Sequence, residues 1–194
     1  MSCWHKKRGV MRRYDVTAGM YDMRYTEEQT AKIEAALKNM KIEKCVLTLD
    51  VGCGTGILFD YAADRTGALV GLDFSKRTLF QAKKRVHDKN LDNVHLVQAD
   101  ADNMPFASSI FDKVFAMTVL QNTPNPCETL AEIKRVSMND ALIAVTGLKK
   151  IFARQVFGQL LRNAGLKVLT LEDGDLKCYV AVCVNTTFSS SSVH

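Results

Sequence analysis

Val46-Leu47-Thr48-Leu49-Asp50-Val51-Gly52-Cys53-Gly54-Thr55-Gly56 is the stretch that decides the fold. An apolar run rich in strand formers breaks into glycines at every second position, and Ile57, Leu58, Tyr61 and Ala62 then recur at helical spacing. The reading is strand, tight loop, helix. Gly52, Gly54 and Gly56 carry no Cβ, so the backbone can turn sharply and a ligand can approach the main chain. The free N–H groups and positive dipole end of the following helix are expected to point back at the loop. This is the build of a nucleotide or nucleoside site at the carboxyl end of a parallel strand.

The acids decide which ligand. Dinucleotide sites space their glycines G-x-G-x-x-G and seat a pyrophosphate on the helix N-terminus. Here the spacing is G-x-G-x-G, and Asp50 stands just before it. A carboxylate at that point repels phosphate and attracts an ammonium. A second apolar run, Ala68 to Leu72, ends in Asp73, at the distance from Gly52 where an acid meets ribose hydroxyls in such folds. A third acid, Asp100, follows the apolar run Val94 to Gln98 and so belongs to the same sheet edge. The expected ligand has a ribose and a cationic end.

Leu49–Gly56 (LDVGCGTG), Gly71–Ser75 (GLDFS), Asp100–Phe106 (DADNMPF) and Phe111–Ala116 (FDKVFA) resemble, in order and spacing, the class I S-adenosylmethionine-dependent methyltransferases. The nearest branch holds the ubiquinone and menaquinone C-methyltransferases. Four ordered matches over about a hundred residues are far more specific than a lone glycine motif. The resemblance implies an α/β, Rossmann-like, seven-stranded and mostly parallel sheet with helices on both faces and a C-terminal antiparallel hairpin. It implies an enzyme that uses S-adenosyl-L-methionine. It assigns cofactor contacts to Asp50, Gly52, Cys53, Gly54, Gly56, Asp73 and Phe74. Asp100 would accept from the adenine amine, the Ala101 N–H would donate to the ring, and Met104, Pro105 and Phe106 would wall the base.

The rest of the chain fits one domain. With 194 residues, 47% hydrophobic and 24% charged, it can bury one sizeable core and is too short for two comfortable ones. The expected division is an arm and cofactor-covering segment over 1–25, a catalytic domain over 26–185 and a mobile tail over 186–194. Six cysteines form no C-x-x-C pair, and several sit inside apolar runs where a thiol packs as a small hydrophobe. No apolar stretch reaches the length of a membrane span, and residues 1–13 lack the apolar core of a signal peptide. The expectation is a cytoplasmic protein with reduced thiols. Lys6, Lys7, Arg8, Arg12 and Arg13 gather with no acid until Asp15. That patch reads either as a solvated arm or as a surface for RNA or another polyanion.

Beyond the arm, Tyr14 and Tyr21 are candidate walls for cofactor or substrate, because the corresponding segment of the family folds over the cofactor. Thr26 to Gln29 reads as a capping box, followed by Ile33, Leu37 and Met40 on one helical stripe. Ser75 is expected to cap a helix with Leu79, Ala82 and Val86 inward and Lys76, Arg77, Lys83, Lys84 and Arg85 in water. His87 and His95 have no companions at ligand spacing, and Asp102 reads as solvated. Val114 to Leu120 reads as the fourth strand and Ala141 to Val145 as the fifth. Leu166–Leu171 and Leu176–Val184 flank Asp173-Gly174, a strong hairpin signal.

The loop after the fourth strand, Gln121-Asn122-Thr123-Pro124-Asn125-Pro126, is the one nearest the methyl group in the family. Gln121 and Asn122 are the catalytic candidates; Asn125, Pro126 and Glu128 also have a structural reading as a helix start. The [D/N]-P-P-[Y/F] motif of adenine and glutamine N-methyltransferases is not matched here. No cysteine pair, metal cluster or nucleophile triad demands another chemistry. Short connections and the basic arm lean the acceptor toward RNA or protein, with small molecules such as quinone precursors as the rival. A cofactor-binding subunit without activity, a partnership with an activating protein subunit, and a nicotinamide oxidoreductase are the remaining alternatives.

Overall fold

The computed structural model describes residues 8–9 and 26–186. A helix over 26–39 (α1) precedes β1 (Leu47–Val51), a four-residue α2 (Phe59–Ala62), β2 (Ala68–Asp73) and α3 (Lys76–Asp88). Then come β3 (Val94–Gln98), β4 (Phe111–Ala116), α4 (Pro126–Val136), β5 (Ser137–Leu148), α5 (Arg154–Asn163), β6 (Leu166–Glu172) and β7 (Cys178–Asn185). The strands form one sheet in the order β3-β2-β1-β4-β5-β7-β6, parallel from β3 to β5. β7 runs antiparallel to both β5 and β6. Seven strands, a parallel core and a terminal antiparallel pair are the expected architecture.

Strand order explains where the ligand edge lies. The chain starts in the middle with β1, winds outward through β2 to β3, then returns to β4 on the other side of β1. The carboxyl ends of β1 and β4 therefore diverge into a crevice, the switch point at which open α/β sheets bind ligands. The arms of the sheet are covered on both faces, and the core divides accordingly. Ile33, Ala36 and Met40 of α1 pack with Phe59, Ala62, Leu79 and Ala82 in one apolar cluster. Leu130 and Ile133 of α4 and Phe157 and Leu161 of α5 lie in the other, with Leu49, Val51 and Val114. Phe59, Phe111, Phe115 and Phe157 are fully buried, each contributing about 1.5–3 kcal/mol by leaving water.

Local chemistry accounts for the helix ends. Ser75 Oγ accepts from Thr78 N at 3.2 Å, capping α3. Asn125 Oδ1 accepts from Cys127 N at 3.2 Å with Pro126 opening α4, and Asn125 Nδ2 donates to Glu128 Oε1 at 3.0 Å. Gly165, at φ +77°, follows the end of α5. Among the described residues no helix is long and apolar enough to cross a membrane, and five described cysteines carry free thiols.

The structure corrects several expectations. The helix after the glycines spans only Phe59–Ala62, so there is no long helix dipole aimed at the loop. β4 stops at Ala116 rather than Leu120, because Thr118 enters the left-handed region at φ +66°. Five residues, Asp173 to Lys177, separate β6 from β7, so Asp173-Gly174 is part of a longer loop than a two-residue turn. Arg85 is not in water: its Nε donates to Thr55 O at 2.9 Å and its guanidinium pairs with Asp60 at 2.7 Å, latching α3 to the glycine loop. Nor is Asp102 solvated, since its Oδ1 accepts from Thr129 Oγ1 on α4. The arm residues Lys6, Lys7, Arg12 and Arg13, with Tyr14 and Tyr21, lie outside the described residues.

Candidate functional site

Gly52, Gly54 and Gly56 all take positive φ, at +68°, +56° and +81°. The two amides of Gly52 and Cys53 both donate to Leu72 O, at 2.7 and 2.9 Å, folding the loop back across the end of β2. Gly54 sits at the tip, and a Cβ built on it would meet nothing within 4 Å. Among the described residues nothing covers the loop tip, which borders the cleft. Gly52 faces the other way, toward Val119: a Cβ there would come within 2.8 Å of Val119 Cγ2.

Asp73 closes the loop. Its Oδ2 accepts from Gly54 N at 2.9 Å, while Oδ1 accepts from Ser75 N at 2.8 Å and Thr78 Oγ1 at 3.1 Å. Asp73 is half-buried at the cleft, and burial pushes its pKa up, against the hydrogen bonds from Ser75, Gly54, Thr78 and Phe74 that favour the carboxylate. Asp50 is only 3% exposed, and burial pushes its pKa well above the ordinary carboxylate range, with the charge of Asp73 adding to the rise. No basic side chain among the described residues forms an ion pair with it. Two desolvated acids beside an open backbone loop create an electrostatic demand for a positive ligand.

The cleft they border is lined by Gly52, Gly54, Asp73, Phe74, Ser75 and Thr78 on one side and Asp100 and Ala101 on another. Met117, Thr118, Val119, Asn122 and Pro124, after β4, form the remaining wall. Leu72 and Ala99 complete an apolar floor. Asp50 and Cys53 line a smaller adjoining recess with Gln29, Ile33 and Gly54. A flat apolar body edged by carboxylates can take a nucleoside, and the recess at Asp50 can take its charged tail.

Not every candidate faces this cleft. Gly56 is structural: its missing Cβ makes room for the Phe59 ring, 2.4 Å from where that atom would stand. Met104 is buried in the core, and its N donates to Glu132 Oε2 at 2.7 Å. Phe106 packs edge-on against Phe111 at 5.1 Å, and Pro105 is exposed, so this trio belongs to a loop pinned on α4 rather than to the cleft lining. Arg135 completes the pin, donating to the carbonyls of Met104 and Phe106. Of the paired candidates after β4, Asn122 lines the cleft and Gln121 does not.

One group had no signal in the sequence. Gln29, read there as half of a capping box, is buried, and its Oε1 accepts from Thr118 Oγ1 at 3.1 Å. Lys32, 2% exposed, donates to the same hydroxyl at 3.2 Å. Helical spacing puts both on the inner face of α1, but only the fold brings that face to the end of β4.

Comparison with known proteins matches this geometry. The Methyltransferase domain family covers residues 49–145, half of the chain. Demethylmenaquinone methyltransferase of Halalkalibacterium halodurans is 33% identical over 131 residues, covering 66% of this chain and 52% of that protein. The Staphylococcus saprophyticus enzyme of the same name is 32% identical over 139 residues, covering 68% and 58%. The chain thus spans about half the length of the curated relatives it matches. Among solved structures, a SAM-dependent methyltransferase from Aquifex aeolicus superimposes with a TM-score of 0.78 at 19% identity, covering 89% of this chain and 98% of the other. A chain of the complex between the Haloferax volcanii Trm112 methyltransferase activator and a methyltransferase gives 0.75 at 19%, covering 90% and 98%. The [4+2]-cyclase SpnF gives 0.73 at 18%, covering 80% of each chain, so the fold alone does not name a reaction. The family match over β1 to β5, with the acids and glycines in place, does name a lineage: the chain belongs to the class I S-adenosylmethionine-dependent methyltransferase family, near its quinone-methyltransferase branch.

Proposed function

We propose that the chain binds S-adenosyl-L-methionine and transfers its methyl group to a small, largely apolar acceptor of the quinone-precursor kind. The observation that carries the cofactor half is the desolvated pair Asp50 and Asp73 beside the open tip at Gly54. When bound, the sulfonium supplies an already activated methyl carbon, which an acceptor nucleophile attacks in line as the carbon–sulfur bond breaks.

The chain's own residues have the simpler tasks of holding and excluding. Asp50, at the adjoining recess, suits the ammonium of the amino-acid tail. Asp73, on the cleft lining beside the loop tip, suits a ribose hydroxyl. Asp100 and the Ala101 backbone suit the polar edge of adenine, and Phe74 offers it an apolar surface. Met117, Val119 and Pro124 keep the far wall dry, and proximity then supplies much of the acceleration.

The small-molecule acceptor is supported by the two demethylmenaquinone methyltransferases quoted above and by that apolar far wall. Neither of the relatives quoted above supports the lean toward RNA or protein, which rests on short connections and on an arm that, apart from Arg8, lies outside the described residues. The likeness to a chain solved with an activator supports a partner subunit as a second element of the reading. Cytoplasmic placement is part of the same proposal.

The test is labelled methyl incorporation from S-adenosylmethionine into quinone precursors, RNA and protein, run with the full chain. Transfer to quinone precursors alone is the expected outcome. Transfer confined to RNA or protein sinks the acceptor assignment, and failure to bind either S-adenosylmethionine or S-adenosylhomocysteine sinks the cofactor assignment.

A further inference from the structure

Thr118 is a β-branched residue at φ +66°, a backbone region that such side chains rarely enter and that costs stability wherever it is held. Each of its polar groups is tied down. Its N donates to Thr146 Oγ1 at 2.7 Å, and its O accepts from Asn122 Nδ2 at 2.8 Å. Its hydroxyl donates to Gln29 Oε1 at 3.1 Å and accepts from Lys32 Nζ at 3.2 Å. Lys32 is in turn fixed by Glu28 Oε1 at 2.8 Å, and Glu28 is shared with Lys177 at 3.4 Å. A lysine buried to 2% is costly to desolvate, so such placement needs partners that compensate it.

The strained residue stands at a sensitive place. Thr118 lines the cofactor cleft, and it lies two residues beyond Ala116, the last residue of β4. The neighbour that follows it, Val119, occupies the space beside Gly52, where an added Cβ would lie 2.8 Å from Val119 Cγ2. Asn122, which holds the Thr118 carbonyl, lines the same cleft. The direction taken by the backbone at Thr118 therefore sets where Val119 meets the glycine loop and where Asn122 sits.

We propose that Lys32 and Gln29 are positioning residues for the methyl-transfer site: through the Thr118 hydroxyl, α1 holds a left-handed turn that aligns the wall after β4 with the glycine loop. Lys32 acts through Thr118 alone, whereas Gln29 holds Thr118 and also lines the recess beside Asp50. That the site takes S-adenosylmethionine rests on the function proposed above, whereas the clamp on the turn is a property of the unliganded chain.

The test is a double-mutant cycle between Lys32→Met and Thr118→Gly, read by calorimetric binding of S-adenosylhomocysteine and by amide exchange of residues 118–122 in the unliganded protein. Glycine enters the left-handed region without strain, so it needs no clamp. Lys32→Met alone is expected to weaken binding about tenfold and to speed exchange over 118–122 while β1 and β2 stay protected. In the Thr118→Gly background the same substitution should change affinity by less than about twofold. Thr118→Ser, which keeps the hydroxyl, should bind more tightly than Thr118→Val, and Thr118→Val should behave like Lys32→Met. An equal loss in both backgrounds, or unchanged exchange at 118–122, overturns the positioning role and leaves Lys32 a packing residue. If the wild type binds no S-adenosylhomocysteine while exchange still responds to Lys32→Met, the cofactor reading fails and the clamp stands.

Discussion

Asp73 Oδ2 accepts a hydrogen bond from Gly54 N at 2.9 Å, so the acid that ends the second strand clasps the loop that ends the first. The same carboxylate opens α3 through Ser75 N and Thr78 Oγ1. One side chain thus sets the loop, starts the next helix and still faces the cleft.

Replacing Asp73 by Ala is therefore expected to lower affinity and stability together. Charged acceptors of this kind contribute about 1.5–3 kcal/mol per hydrogen bond, which corresponds to a tenfold to hundredfold weaker S-adenosylhomocysteine titration. The melting temperature should fall too, because Gly54 N and Ser75 N lose their acceptor. Calorimetry beside thermal melting checks both; unchanged affinity in the folded variant would remove Asp73 from the site.

Gly54→Val should separate binding from folding in a different way. The side chain meets open space, yet φ +56° strains a branched residue by about 1–3 kcal/mol, an amount a domain of this size tolerates. The added bulk points into the cleft. Circular dichroism is expected to show a folded protein while titration shows no binding, and retained binding would mean that the ligand does not approach the loop tip.

Asp50 sets a pH dependence whose sign follows from its burial. Its pKa is raised well above that of the unfolded chain, so between the two values the folded state holds a proton that the unfolded state has released. Stability is fullest below the unfolded pKa of about 3.9 and declines as pH rises toward the folded value. Asp50→Asn, which is neutral throughout, should melt higher than wild type at neutral pH, with the gap narrowing as pH falls. The same variant should bind S-adenosylmethionine more weakly. Wild-type binding of that cation should release protons, visible as a buffer-dependent heat; an absent buffer dependence would place Asp50 away from the positive end.

The contrast between what could and could not be read in the sequence has a physical basis. Alternating apolar runs, glycines and edge acids are local signals, and they located β1, β2, β3 and the cleft residues Gly54, Asp73 and Asp100. Met104 and Phe106 were misplaced because an apolar loop beside a site has the same composition whether it faces ligand or core. Arg85 was read as wet because charge on a helix says nothing of Thr55 O and Asp60 across the loop. Lys32 and Gln29 were silent because their partner lies 86 and 89 residues away. Only the return of the chain to β4 beside β1 brings them together.

Gln121 and Asn122, adjacent in sequence, should behave as opposites. Asn122 lines the cleft and holds the Thr118 carbonyl, so Asn122→Ala is expected to slow methyl transfer by up to about tenfold, the equivalent of one ordinary hydrogen bond. Gln121 does not line that surface, and its Oε1 is buried without a hydrogen-bond partner among the described residues. A buried amide oxygen left without a donor costs about 1–3 kcal/mol, so Gln121→Met, which keeps length and removes the oxygen, should raise the melting temperature or leave it unchanged. Turnover should survive. Side-by-side melting curves and labelled methyl transfer decide the matter: a Gln121→Met variant that melts normally but has lost transfer would return Gln121 to the reacting site.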